Sequence, residues 1–170
     1  SETPDYEFAI IAMGRWGGRE IGYFSDADAM FVYRPVSDDL DAEARGRLSK
    51  HVTKVALQLS TRLKASEGAQ GIDLDADLRP EGKNGPLVRS FSSYQAYYAK
   101  WSQPWEAQAL LRARPVAGDD GLIADYLALI DPLRYPSEMP QKALTQVRTL
   151  KARMEDERLP RNADKRRHLK

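Results

Sequence analysis

The segment 8–13, Phe8-Ala9-Ile10-Ile11-Ala12-Met13, is an unbroken apolar run that stops at Gly14. Its shortness and the glycine stop read as a strand buried on both faces, and it is far too short to span a membrane. Gly14-Arg15-Trp16-Gly17-Gly18 follows as a tight turn or loop. Segment 26–33 then reads as a second strand, with Asp26, Asp28, Met30 and Val32 on one face and Ala27, Ala29, Phe31 and Tyr33 on the other.

Beyond it, Leu40, Ala44, Leu48, Val52, Val55, Leu59 and Leu63 recur at three- and four-residue spacing. They make the apolar stripe of a helix of six or seven turns, with Ser37 and Asp38 as expected caps and Gly68 after its end. Segment 72–79 alternates strictly, Ile72, Leu74, Ala76 and Leu78 against Asp73, Asp75, Asp77 and Arg79, and reads as a third strand ended by Pro80. A turn at 81–85 and a short fourth strand at 87–89 come next. The remainder reads as helical near 92–101, 105–112, 121–130 and 141–158, with Pro132 and Pro136 marking a linker between the last two. The last helix would bury Leu144, Val147, Leu150 and Met154, and a basic tail with Arg158, Arg161, Lys165, Arg166, Arg167 and Lys170 follows it.

Composition matters here for what it excludes. The 170 residues hold no cysteine, which removes disulfides, thiolate zinc sites and cysteine nucleophiles, and fits a cytoplasmic protein. With 26 Lys plus Arg against 25 Asp plus Glu, the net charge is +1. Nothing in that balance argues for nucleic acid or an anionic membrane, and neither is expected as a partner. The polar opening Ser1-Glu2-Thr3-Pro4-Asp5 has no signal-peptide core, and the missing initiator Met suits a fragment of a longer chain.

Three features carry chemistry. Asp26 and Asp28, at i and i+2 on a strand, point the same way about 6–7 Å apart, and hard divalent cations bind one or two such carboxylates together with phosphates. On its own an Asp-x-Asp pair also fits a solvated strand end. Gly14 to Gly18 lies shortly before, and glycines let backbone N–H groups approach phosphate oxygens. The spacing is neither a dinucleotide fingerprint nor a Walker A loop. Third, Asp73, Asp75 and Asp77 share one strand face and repel one another, which suits either a wet edge or a face that holds cations. Were this strand to pair beside Asp26 and Asp28, a three-carboxylate site for two magnesium ions would result. Arg79, Lys83, Arg89, Arg112 and Arg114 flank the acids and could balance a triphosphate.

Other residues read as structural. His51 lies inside the long helix and His168 in the basic tail. Ser90, Ser92 and Ser93 look like helix caps. Tyr94, Tyr97, Tyr98, Trp101 and Trp105 read as core packing in preference to a base-stacking platform.

Together, residues 12–28 resemble the glycine-pair and Asp-x-Asp signature of the polymerase β-like nucleotidyltransferase superfamily, and more specifically that of the glutamine synthetase adenylyltransferases. The blocks at 75–88 (Asp-Ala-Asp-Leu-Arg-Pro-Glu-Gly-Lys-Asn-Gly-Pro-Leu-Val) and 105–119 are similar to that family in the same order. The resemblance implies an α+β fold, a mixed sheet flanked by helices, with a catalytic domain at 1–118 and a helical extension at 119–170 that opens a further helical domain. It implies Asp26, Asp28 and Asp75 as catalytic and metal-binding carboxylates, with Asp77, which stands where many relatives carry Arg, as a further candidate. Gly17, Gly18, Ser25, Arg79, Lys83, Arg112 and Arg114 would meet the nucleotide.

The activity implied is transfer of AMP from ATP, with two magnesium ions as cofactor, to a tyrosine of glutamine synthetase under control of a PII nitrogen-signalling protein and glutamine. Full-length members carry two such domains, one adding AMP and one removing it by phosphorolysis. The Asp75 block and the Lys151-Ala152-Arg153-Met154-Glu155 helix are more similar to the adding, C-terminal one. Phosphorolytic removal and a non-catalytic nucleotide-binding module are the alternatives.

Overall fold

The computed structural model describes residues 5–23, 25–64, 71–100, 104–138, 145, 148, 149 and 152. Two compact units divide the chain, Ser1–Tyr135 and Pro136–Lys170. In the second, Thr149 Oγ1 donates to Thr145 O at 2.9 Å, a bond one helical turn back. The expected helix at 141–158 and the basic tail otherwise lie outside the described residues, as do Gly68, Trp101 and His168.

The apolar run becomes β1 (Tyr6–Ala12). After a single helical turn, α1 (Gly14–Gly17), the chain returns as β2 (Ala27–Pro35). The two strands pair antiparallel from Tyr6↔Pro35 to Ala12↔Ala29. Next come the long helix α2 (Ala42–Lys64), β3 (Leu74–Asp75), a 3-10 turn at Gly82–Asn84 and β4 (Val88–Ser90). The helices α3 (Phe91–Lys100) and α4 (Pro104–Leu110), the strand β5 (Arg114–Gly118) and α5 (Asp120–Arg134) complete the unit. The sheet runs β3-β2-β1-β5, and β4 also pairs with β2. Because β1 fills one edge of β2, β3 and β4 share the other, both parallel to it.

Side-chain alternation explains why both faces are covered. Ala9, Ile11, Met30 and Val32 point to one side, where Tyr94 and Tyr98 of α3 and Leu122, Tyr126 and Ile130 of α5 bury them. Ala29, Phe31 and Tyr33 point to the other, against Leu48, Val52 and Ala56 of α2. Each such side chain fully buried stabilises the fold by about 1.5–3 kcal/mol. The face assignment read from β2 is the one observed. The tyrosines of α3 are core, as expected: Tyr94 meets Tyr126 edge-on at 5.2 Å and stacks on Tyr98 at 5.8 Å. His51 lies edge-on to Tyr6 at 5.6 Å, a packing contact. Ser90 caps α3 by accepting the Ser93 N–H at 3.2 Å.

Four expectations are corrected. The third strand is two residues long, not eight, because the Asp77 N–H turns back to Asp75 Oδ1 at 2.8 Å and leaves the ladder. Asp41, not Ser37 or Asp38, caps α2, accepting the Ala44 N–H at 2.7 Å. Pro132 lies inside α5 and marks no linker. Proline removes one helical bond there, and the last turn is tied back by Arg134, whose Nη1 donates to Ala113 O at 2.9 Å. Finally, Arg114–Gly118 is a strand where helix or connection was expected. Its Pro115 fits because β5 is an edge, where a missing N–H costs no ladder bond.

Candidate active site

The end of β1 and the start of β2 meet at the glycine turn. Met13 N–H donates to Asp28 O at 2.8 Å, extending the ladder by one rung. Gly14 then takes a left-handed φ of +50°, and a Cβ there would collide with the Asp28 carboxylate. Glycine at this position therefore serves both conformation and approach: the acid rests against bare backbone. Gly17 sits between the carbonyls of Ala12 and Arg112, either of which a side chain would strike. The Gly17 and Gly18 N–H groups donate to Met13 O and Gly14 O, at 2.7 and 3.1 Å.

The start of β5 brings two arginines to this turn, Arg114 at its first residue and Arg112 just before it, because the strand pairs with β1 at Ala12↔Arg114. Arg114 donates from Nε to Gly17 O and from Nη2 to Trp16 O, both at 3.0 Å. Its forked guanidinium thus closes the C-terminal end of α1, where a cation is favoured. Arg112 passes beside Gly18 and pairs through Nη1 with Glu20 Oε2 at 2.8 Å.

The acids converge through strand pairing. β2 and β3 run parallel with Ala27 opposite Leu74 and Asp28 opposite Asp75, and Ala27 N–H donates to Asp73 O at 2.8 Å. Paired residues on neighbouring strands project to the same side. The Asp28 carboxyl is consequently pushed above its ordinary range, first by burial, then by the charges of Asp75 and Asp26, with Arg15 opposing. Asp26 is exposed at the mouth of the strand, and Ser25 before it is half-buried, its N–H on Gly22 O at 3.3 Å.

The other two acids of the third segment have turned elsewhere. Asp73 pairs with Lys64 at 2.7 Å, and Asp77 pairs with Lys83 at 3.1 Å and Arg79 at 3.7 Å. Arg79 is mostly buried and donates to Ala76 O, Gly85 O and Lys83 O, while Lys83 is exposed. Arg89 is buried against Tyr97 and holds Glu81 at 2.5 Å, away from the cluster in role.

The structure thus brings together Asp28, Asp75, Gly14 and Arg15, with Asp26 within electrostatic reach. It sets Arg112 and Arg114 on the glycine turn and Arg79, Lys83 and Asp77 in the turn after Asp75. Among the described residues no three of His, Asp and Glu close around a common point tightly enough to enclose an ion. The donor chemistry still fits one. Oxygen-only carboxylates that repel each other, one of them desolvated, are what a hard divalent cation satisfies. Sequence reasoning passed over Arg15 and Glu20 as site residues. Their position inside the glycine block was the available signal, whereas the Glu20–Arg112 pairing depends on β5 and was not readable.

A mixed sheet with a glycine turn after its first strand and carboxylates where the second strand emerges is the arrangement of polymerase β-like nucleotidyltransferases. Within that class, the family model for glutamate-ammonia ligase adenylyltransferase matches residues 1–129. The chain belongs to that family. It is 53% identical over 164 residues to the bifunctional glutamine synthetase adenylyltransferase/adenylyl-removing enzyme of Leifsonia xyli subsp. xyli, covering 96% of this chain and 16% of that protein. It is 51% identical over 173 residues to the enzyme of the same name from Bifidobacterium longum, covering 99% and 16%. For the Mycobacterium marinum enzyme the figures are 49% over 168 residues, 98% and 16%. The chain therefore spans about a sixth of the length of the curated relatives it matches. No helix among the described residues is long and apolar enough to cross a membrane.

Proposed function

We propose that this chain is a nucleotidyl-transfer domain that moves AMP from ATP to a tyrosine hydroxyl of glutamine synthetase, with release of pyrophosphate. The observation that carries the reading is the parallel pairing that sets Asp28 beside Asp75 under the glycine turn. Asp26, Asp28 and Asp75 would hold magnesium, in one or two ions, and Gly17, Gly18, Ser25, Lys83 and Arg112 would face the triphosphate. Bound magnesium would supply charge to the triphosphate and lower the pKa of the attacking hydroxyl.

The chain's own groups account for the rest. Gly17 and Gly18 carry no side chains, so phosphate oxygens can approach the backbone of the turn closely there. Asp75 orients the tyrosine Oη and accepts its proton as the new Oη–Pα bond forms. The bond from Pα to the bridging oxygen breaks, and the electron pair leaves on pyrophosphate, whose charge Lys83 and Arg112 offset. The reaction draws on ATP, so the cytoplasm is its proposed location. The partners proposed are glutamine synthetase and, for the longer enzyme, a PII-type regulator.

The printed names of the relatives combine adenylyl transfer with adenylyl removal, and the second activity is the rival reading. Incubating the chain with ATP, magnesium and unmodified glutamine synthetase should release pyrophosphate in step with modified tyrosine. Incubating it with modified glutamine synthetase and inorganic phosphate should give no ADP. ADP in the second reaction and no pyrophosphate in the first would assign the removing activity instead.

A further inference from the structure

The turn that follows Asp75 holds more charge than a reversal of direction requires. Asp77 N–H donates to Asp75 Oδ1 at 2.8 Å, which fixes one oxygen of that carboxylate and leaves it a second to offer. Each nitrogen of the Arg79 guanidinium donates to a backbone carbonyl of the same turn: Nη1 to Ala76 O at 2.7 Å, Nε to Gly85 O at 3.1 Å and Nη2 to Lys83 O at 3.3 Å. Its side chain is 12% exposed, whereas that of Lys83 is 81% exposed. Both oxygens of Asp77 face cations, Oδ1 towards Arg79 at 3.7 Å and Oδ2 towards Lys83 at 3.1 Å. The turn is reinforced by backbone bonds from Arg79 N–H to Ala76 O at 3.2 Å and from Gly82 N–H to Arg79 O at 2.8 Å. It passes through Glu81, whose φ of +64° is unusual for a residue with a side chain.

We propose that Asp77 and Arg79 are positioning residues, a brace that aims the Asp75 carboxylate at Asp28, and that neither touches metal or phosphate directly. The inference rests on the reading that Asp28 and Asp75 hold a divalent cation. A guanidinium spread over three carbonyls is a structural clamp, and its fixed fork suits that task where a lysine's single ammonium does not. A carboxylate flanked by a guanidinium and an ammonium is already neutralised. Asp75, in register with Asp28 and held by one backbone N–H, is left as the acid of this segment that meets the cation.

The test uses Mn2+ alone, followed by paramagnetic resonance on the full chain without nucleotide, beside AMP-transfer kinetics and a thermal melt. Arg79→Lys keeps the charge but loses the fork. It should weaken Mn2+ binding about tenfold or more, as removal of an orienting partner does, and lower kcat while KM for ATP stays within about twofold. Asp77→Asn keeps the backbone N–H and the shape, and should hold Mn2+ within about threefold of wild type, while Asp75→Asn should lose most of the binding. Should Arg79→Lys fail to fold, the Asp77→Asn comparison carries the test by itself. Loss in Asp77→Asn equal to that in Asp75→Asn would make Asp77 a ligand and overturn the brace. So would unchanged Mn2+ binding in Arg79→Lys with a raised KM for ATP, the signature of a phosphate contact. Wild-type chain that binds no Mn2+ would instead remove the cation reading itself, and the brace with it.

Discussion

Asp28→Asn should make the metal-free chain more stable. Neighbouring strands lie about 4.8 Å apart, so facing carboxylates at Asp28 and Asp75 sit roughly 5 Å from each other. Two such charges repel by about 0.8 kcal/mol at the dielectric of water and about 3 kcal/mol at the value used near protein surfaces. Asp28 is half-buried, with solvent on one side, so screening holds the penalty near the lower figure, about 1 kcal/mol. The amide is isosteric and keeps its place against Gly14. Relief of about 1 kcal/mol corresponds to a rise in Tm of roughly 2–4 °C for a chain of this size.

The same residue sets a pH signature. An acid whose folded pKa is raised contributes stability that is present below its ordinary value of 3.8 and is lost as pH rises through the folded value. The gap in Tm between variant and wild type should therefore be open near about pH 7.5 and shrink towards about pH 4. Scanning fluorimetry without divalent ions reads both, and magnesium with ATP should raise Tm in wild type only. A variant that melts at or below the wild-type temperature at neutral pH, or a gap independent of pH, would refute the electrostatic argument.

Three further outcomes follow from the same geometry. Gly17→Ala places a methyl group between two backbone carbonyls that cannot both retreat, and should cost about 3 kcal/mol or more and abolish AMP transfer, read by urea melts and the transfer assay. Asp41→Ala removes the observed cap of α2 and should destabilise by about 1 kcal/mol with activity unchanged, whereas Ser37→Ala should change stability by only a few tenths. Asp73→Asn breaks an exposed pair with Lys64 and should leave transfer within about twofold and stability within about 0.5 kcal/mol, despite standing two residues from Asp75.

Much of this was legible in the sequence, for reasons particular residues make clear. β1 announces itself as the unbroken apolar run from Phe8 to Met13, and β2 by its alternation, Met30 and Val32 on one face and Phe31 on the other. The stripe of α2 was readable for the same reason. What local pattern could not show was competition and partnership. The alternation of 72–79 is genuine, yet the Asp77 N–H finds Asp75 Oδ1 before it finds a neighbouring strand. β5 is short and contains Pro115, and it exists only because β1 offers it an edge. Pro132 reads as a stop, but the burial of Leu122, Tyr126 and Ile130 upstream holds α5 through it. At the site, the spacing Asp26-x-Asp28 named the acids. Their approach to Asp75 is a fact of parallel strand order, and the division of labour among Asp73, Asp75 and Asp77 depends on which lysine or arginine each one faces.

The most direct test of the proposed activity is transfer of α-labelled AMP from ATP to purified, unmodified glutamine synthetase, run with magnesium for the wild-type chain and for Asp26→Asn. Asp26 is exposed at the strand mouth, so its amide variant should fold as wild type does. The account predicts label on a glutamine synthetase tyrosine with the wild-type chain and a loss of at least about a hundredfold in the variant. Equal labelling by both would contradict the assignment of Asp26 to the metal, and no labelling by a folded, ATP-binding wild-type chain would contradict the transferase reading itself.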